Sequence, residues 1–127
     1  MDARNYQAFA EGWLQAWNDR DIDAILTHYT DDIELRSPLA AHLLGDASGT
    51  VAGKAKFREY ITTVFQVFSD KRPLSLHGIC QGVETVVVQF RFDGGEGAEL
   101  MELTGSGRVR RAIAHFRSVG PSDGHGS

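Results

Sequence analysis

The sequence predicts an α+β domain, with helices packed on one side of an antiparallel sheet. Three observations point there. Apolar residues recur at helical spacing through the first half of the chain, whereas the second half changes to two-residue alternation. The alternating runs are joined by short, glycine-bearing connections that suit hairpins. Helices first and a meander of long strands afterwards is the α+β order. A curved sheet holding helices in its palm leaves a cone-shaped space between the layers, which is where a small-molecule site belongs.

The elements follow in chain order. Residues 4–18, "RNYQAFAEGWLQAWN", put Tyr6, Phe9, Ala10, Trp13, Ala16 and Trp17 on one helical stripe. "NDRD" breaks that helix, and Asp21 suits the N-cap of a second, shorter one in which Ile22, Ile25, Leu26 and Tyr29 repeat. "TDD" reads as the closing turn. Ile33–Ser37 then alternates as a short strand, with Ile33, Leu35 and Ser37 on one face and Glu34 and Arg36 on the other, until Pro38 ends it. "LAAHLLG" suits a helical turn, and "GDASGTVAG" carries too many glycines for an element. Lys54–Phe68 carries a wide apolar stripe through Phe57, Tyr60, Ile61, Val64, Phe65 and Phe68, a third helix. Strands are expected over Leu74–Cys80, Thr85–Phe92, Ala98–Thr104 and Arg108–Arg117, joined by "QGVE", "DGGEG" and "TGSG". "GSG" has no lysine after it and opens a strand, so it is a hairpin turn and not a phosphate loop.

With 127 residues the chain has the size of one domain, expected over 1–118 with a disordered tail over 119–127, where "GPSDGHGS" is wholly polar or small. The net charge is −4 and no lysine–arginine cluster stands out, which argues against nucleic acid or an anionic membrane as partner. A single cysteine, Cys80, excludes an internal disulfide and suits a reducing cytoplasm, the expected location. No apolar run is long enough for a bilayer and no signal-peptide pattern opens the chain.

The chemistry concentrates in "GAELMELTGSGRV", residues 97–109. Alternation puts Glu99 on the same face as Met101 and Leu103, the face that leucine and methionine mark as buried. A glutamate among apolar side chains has its carboxyl pushed toward neutrality by desolvation, as a general acid or base requires. His115 sits on the last strand, with Val109, Arg111 and Ile113 on its face and Ala112, Ala114 and Phe116 on the other; both faces are mixed, and which one is inside stays open. His77 falls with Ser75 and Ile79, opposite Leu74, Leu76 and Cys80, and is placed outside. His28 and His42 have no Cys, Asp or Glu at ligand spacing, so no metal site is expected. Trp13, Trp17, Tyr29, Phe65 and Phe68 are core residues first, and the innermost of them would floor a cavity. Buried hydroxyls at Tyr29 and Tyr60 need partners. Ser37 would cap the strand end or hydrogen-bond a ligand. Arg108, Arg110, Arg111 and Arg117 are split over both strand faces by alternation, paired with Glu102 or Glu34.

Three segments carry a family resemblance: "WLQAWNDRDIDAILTHYTDDIELRSP", "GKAKFREYI" and "AELMELTGSGRV". Over residues 4 to 118 the chain resembles the nuclear transport factor 2-like superfamily, in its SnoaL-like and ketosteroid-isomerase-like branch. The resemblance implies a conical barrel, a cystatin-like roll in which a curved sheet, largely antiparallel but mixed, wraps three helices. It also implies an apolar ligand at the open end and a homodimer joined through the outer sheet faces. In the isomerases the first helix supplies a pocket tyrosine, here Trp13. The first strand supplies an aspartate base, here Ser37. The third supplies an acid that hydrogen-bonds the substrate oxygen, here Glu99. SnoaL-like cyclases use a single pocket acid/base and no cofactor. The implied function is therefore a cofactor-independent isomerase or cyclase acting on a small apolar carbonyl compound. Glu99 would be catalytic, and Trp13, Trp17, Tyr29, Ser37, Tyr60, Phe65, Met101 and His115 would bind substrate. The alternative is a non-catalytic module for ligand binding or dimerisation.

Overall fold

A computed structural model describes residues 5–69 and 73–118; the tail expected over 119–127 lies outside them. The elements are α1 (Tyr6–Asn18), α2 (Ile22–Leu26), β1 (Tyr29–Arg36), α3 (Pro38–Leu44), β2 (Thr50–Ala52), α4 (Lys54–Val67), β3 (Ser75–Gln81), β4 (Thr85–Phe92), β5 (Gly95–Leu103) and β6 (Val109–Ser118). The strands form one curved, open sheet in the order β2-β1-β6-β5-β4-β3. All neighbours are antiparallel except β1 and β6, which run parallel. Among the described residues no helix is long and apolar enough to cross a membrane.

The helices cover one side of this sheet, α1 against β3, α4 against β1 and β2, and α3 against β6. The stripe read from α1 is the buried one, with Tyr6, Ala10, Trp13 and Ala16 in the core. Asp21 caps α2 as expected, its carboxylate accepting from the Ala24 N–H at 3.2 Å. Phe57, Tyr60 and Ile61 bury the corresponding face of α4.

Several expectations are corrected. Tyr29 is not the end of a helix but the first residue of β1, fully buried. Its spacing from Ile25 and Leu26 mimics a helical repeat because the chain passes into the strand within two residues. "TDD" is not a turn; it lies inside β1, where the register against β6 slips between Tyr29 and Glu34 and leaves Asp31 and Asp32 exposed. "GDASGTVAG" contains an edge strand, β2, of three residues, too short for alternation to register. Gly49 precedes it at φ +61°, and a Cβ there would lie 2.5 Å from the Ser37 carbonyl oxygen, so only glycine fits. The helical turn after Pro38 is a full short helix, which makes four helices among the described residues. "DGGEG" contracts to a two-residue turn, Asp93–Gly94, and Gly95 already belongs to β5.

Two bulges redirect side chains. In β6, Glu102 faces Arg111 while Leu103 faces Val109, so Arg110 is the extra residue. Val109, Ala112 and Ala114 consequently all point inward, and Arg110 and Arg111 are both exposed rather than split between faces. Both reach Glu102, at 3.4 and 3.9 Å, while Arg117 pairs with Glu96. In β3 the register shifts between Leu76 and Gly78. Ile79 therefore packs on the core and Cys80 is exposed, the reverse of the simple alternation; His77 is outside as expected.

Between these strands β5 has no irregularity over Gly95–Glu102, and its inner face reads Gly95, Gly97, Glu99, Met101, Leu103. The two glycines make room for aromatic rings: a Cβ on Gly97 would lie 2.5 Å from the Phe90 ring, and one on Gly95 would lie 2.7 Å from that of Phe92. Phe90 cannot retreat, since it packs on Trp13 at 5.8 Å between ring centroids. Replacing Gly97 by alanine is therefore expected to cost about 1–3 kcal/mol by overpacking, measured as a lower urea midpoint at unchanged slope.

Candidate functional site

A cavity of about 500 Å³ lies between α1, α3 and α4 and the inner face of β4–β6. That volume falls within the ~300–1,000 Å³ common for ligand pockets. Its walls are mainly aromatic and aliphatic, and among the described residues Glu99 is the one acidic side chain in them.

Glu99 is held on the central part of the sheet, between Val88 on β4 and Ala114 on β6. It is 7% exposed. Among the described residues no hydrogen bond or ion pair reaches its carboxyl. Burial alone pushes its pKa up to about 7. Tyr60, one helix away on α4, also lines the cavity; burial pushes its hydroxyl up to about 12, Ser37 partly offsets this by hydrogen bonding, and Glu99 adds to it. Tyr60 thus stays a proton donor at any physiological pH. Ser37 is buried in the wall, and its Oγ accepts from the Leu39 N–H at 3.1 Å, capping α3 rather than ending the strand.

Behind the wall, Trp13 Nε1 donates to the Tyr29 hydroxyl at 2.8 Å. Burial raises the Tyr29 pKa strongly, with Glu99 contributing in the same direction and the Trp13 and Trp17 indoles opposing. The Trp17 N–H is buried without a well-formed hydrogen bond, although its indole acts on Tyr29. Tyr29 is thus the acceptor that makes a buried tryptophan tolerable at position 13.

Of the residues singled out from the sequence, the cavity gathers Glu99, Trp13, Trp17, Ser37, Tyr60, Phe65 and Phe68. Tyr29 and Met101 are fully buried behind its surface and do not line it. His115 is on the outer, exposed face of the sheet, because the bulge at Arg110 turns Ala112 and Ala114 inward; it is not a cavity residue. Phe90 and Phe92 went unsuggested, although their two-residue spacing opposite "GEG" marks them. Arg20, Asn18 and His42 also line the cavity, and nothing in their local sequence signals it. Among the described residues no three His, Cys, Asp or Glu side chains gather as a metal would require.

An open mixed sheet, helices over one face and an apolar cavity holding one acid between the layers define an α+β roll built around a small-molecule pocket. The chain matches the family model of the SnoaL-like domain over residues 10–124 and belongs to that family, within the nuclear transport factor 2-like superfamily. A SnoaL-like protein of unknown function from Burkholderia thailandensis is similar at 30% identity and TM-score 0.82, over 88% of this chain and 93% of that one. An NTF2-like protein of unknown function from Burkholderia pseudomallei shares the fold at 17% identity and TM-score 0.73, over 92% of each chain. The epoxide hydrolase/cyclase-like enzyme SalBIII, of pyran ring formation in the polyether salinomycin, shares it at 15% identity and TM-score 0.70, over 91% and 93%. No curated protein matches the chain.

The raised pKa of Glu99 makes stability depend on pH. Below about pH 4.5, its ordinary value, the carboxyl is protonated in both states. Between there and about 7 the unfolded chain ionises while the folded one keeps its proton, so stability falls as pH rises. Glu99→Gln is therefore expected to match wild type near pH 4 and to exceed it by about 3 kcal/mol above pH 8, read from urea unfolding across pH. Tyr29→Phe removes the Trp13 acceptor and is expected to cost about 1–3 kcal/mol at every pH.

Proposed function

We propose that the protein is a cofactor-independent enzyme of the isomerase or cyclase type, acting by acid/base chemistry on a small apolar carbonyl compound. The observation that carries this reading is Glu99: a carboxyl unpaired among the described residues, in an apolar cavity, with its pKa pushed up to about 7. Such a group is half ionised near neutrality and is suited to both halves of a proton transfer. The carboxylate takes a proton from the carbon next to the substrate carbonyl. The electron pair moves onto the carbonyl oxygen as an enolate, which the Tyr60 hydroxyl can meet as a donor. The protonated Glu99 then returns the proton at another carbon, or the enolate carbon closes a ring on a second carbonyl and the proton goes to the new alkoxide. Neither route needs an external oxidant or reductant.

A second reading has one observation in its favour. Ser37 stands where the resembling isomerases carry their base, and its Oγ is engaged in capping α3. On that account the cavity binds an apolar ligand without converting it.

Two measurements separate the readings. A thermal-shift screen against small apolar ketones, lactones and polyketide-like aromatics finds binders, since a ligand at 100 times its Kd adds about 2.7 kcal/mol. Turnover of those binders then decides. The enzymatic reading expects Glu99→Gln to keep binding and lose about 10²–10⁴ in kcat, with wild-type kcat rising with pH through one ionisation near 7. Binding without turnover, unchanged by Glu99→Gln, establishes the binding module instead.

A further inference from the structure

Arg20 lies in the turn between α1 and α2 with φ +55°, a left-handed conformation that is uncommon for a residue with a side chain. Its guanidinium lines the cavity. Nη2 donates to the carbonyls of both Phe65 and Phe68, each at 2.7 Å, and the guanidinium carbon sits 4.4 Å from the centroid of the Phe65 ring. Those contacts fix the head group on the last turn of α4. They leave Nε and Nη1 without a partner among the described residues, and no carboxylate there lies within ion-pair distance of Arg20. An ordered, half-buried cation with unused donors is a preformed site for an anion.

The site and the acid are carried by different walls of the cavity, Arg20 being held at the C-terminal end of α4 and Glu99 by β5. Tyr60 on α4 precedes Phe65 by five residues and Phe68, the C-cap, by eight, so the carbonyls that hold Arg20 lie about 8–12 Å from it along the helix axis. Glu99 acts on Tyr60, and Arg20 is bound at Phe68. Val64, Phe65, Trp17 and Phe90 are apolar parts of the same lining. Among the described residues His42, from α3, is the other basic residue of the lining.

We propose that Arg20 anchors the ligand, and that the ligand is an apolar molecule about 8–12 Å long bearing a carboxylate at the end that meets Arg20. The anchor rests on the cavity being the ligand site, and it names the chemical class that site selects. Arg20 is a specificity-determining residue on this account, and takes no part in proton transfer. The carboxylate at Arg20 fixes which part of the apolar body reaches Glu99.

The test uses paired probes of equal shape, biphenyl-4-carboxylate and biphenyl-4-carboxamide, titrated calorimetrically into the wild-type protein at pH 7.5. The expected result is a carboxylate Kd at least tenfold below that of the amide, narrowing as salt is raised to 0.5 M, about a 4 Å Debye length. In Arg20→Gln the preference is expected to vanish, the carboxylate Kd rising by more than the amide Kd; in Arg20→Lys part of it returns; in Glu99→Gln it persists. Equal affinity for the two probes in the wild type overturns the anchor while leaving the pocket in place, and it does so whether or not the Arg20 variants fold. A preference that survives Arg20→Gln also overturns it. Binding of neither probe overturns the pocket reading and the anchor together.

Discussion

The unbroken alternation of β5 is the constraint on which the rest of the site depends. From Gly95 to Glu102 the strand pairs in register with both β4 and β6, so each inward position is fixed by parity. Its sequence inserts first space, then an acid, then bulk: Gly95 and Gly97 admit the rings of Phe92 and Phe90, Glu99 faces the cavity, and Met101 and Leu103 close the core. A one-residue slip would put Leu100 and Glu102 inside and move Glu99 into water. The aromatic wall and the acid are thus two consequences of the same register. Phe90, Phe92 and Phe116, with centroids 6.3 Å apart in each pair, continue the wall toward the strand ends.

Where period-two alternation holds, the sequence was enough to place side chains: Glu99, Met101 and Leu103 on β5, and Ile33, Leu35 and Ser37 at the end of β1, face inward as read. Where it breaks, sequence reading fails for an identifiable reason. A bulge adds one residue to one strand only, and whether it exists depends on the partner, which the local sequence does not contain. That is why His115 could be assigned to neither face, why Ile79 and Cys80 exchanged roles, and why Arg110 and Arg111 share a side. Tyr29 was misread for the complementary reason: a strand residue two positions beyond a helix keeps the spacing of the helix. Arg20 is the clearest case of what sequence withholds. Its contacts are carbonyls of residues 45 and 48 positions away, and backbone acceptors have no signature in the residue alphabet.

Position 13 links the fold to the site in another way. The indole there brings a donor into the core, and Tyr29 on β1 answers it as acceptor. The resemblance puts a hydroxyl at position 13 in the isomerases; here the hydroxyl sits behind the wall, bound to that indole. The hydroxyl that lines the cavity is instead that of Tyr60 on α4, the helix that also carries Phe65 and a carbonyl that holds Arg20.

The energetic character of Glu99 bears on which chemistry the cavity suits. A buried carboxyl without a partner destabilises the folded state whenever it is ionised, and well-packed methionine or leucine would stabilise the same position. A residue that costs stability in its charged form is what a site needs when the charge must appear and disappear during the reaction, because the two protonation states then lie close in free energy. A neighbouring arginine would have held the carboxyl ionised and made it a poor proton carrier. Opening an epoxide or hydrolysing an acyl group calls for a second group, one to activate water and one to protonate the leaving oxygen. Among the described residues the cavity lining holds one carboxyl, and the Tyr60 phenol, which keeps its proton, lines the same cavity. One reversible proton carrier and one fixed donor in the same cavity suit a reaction that returns the proton it removes, the property on which the proposed isomerisation or ring closure rests.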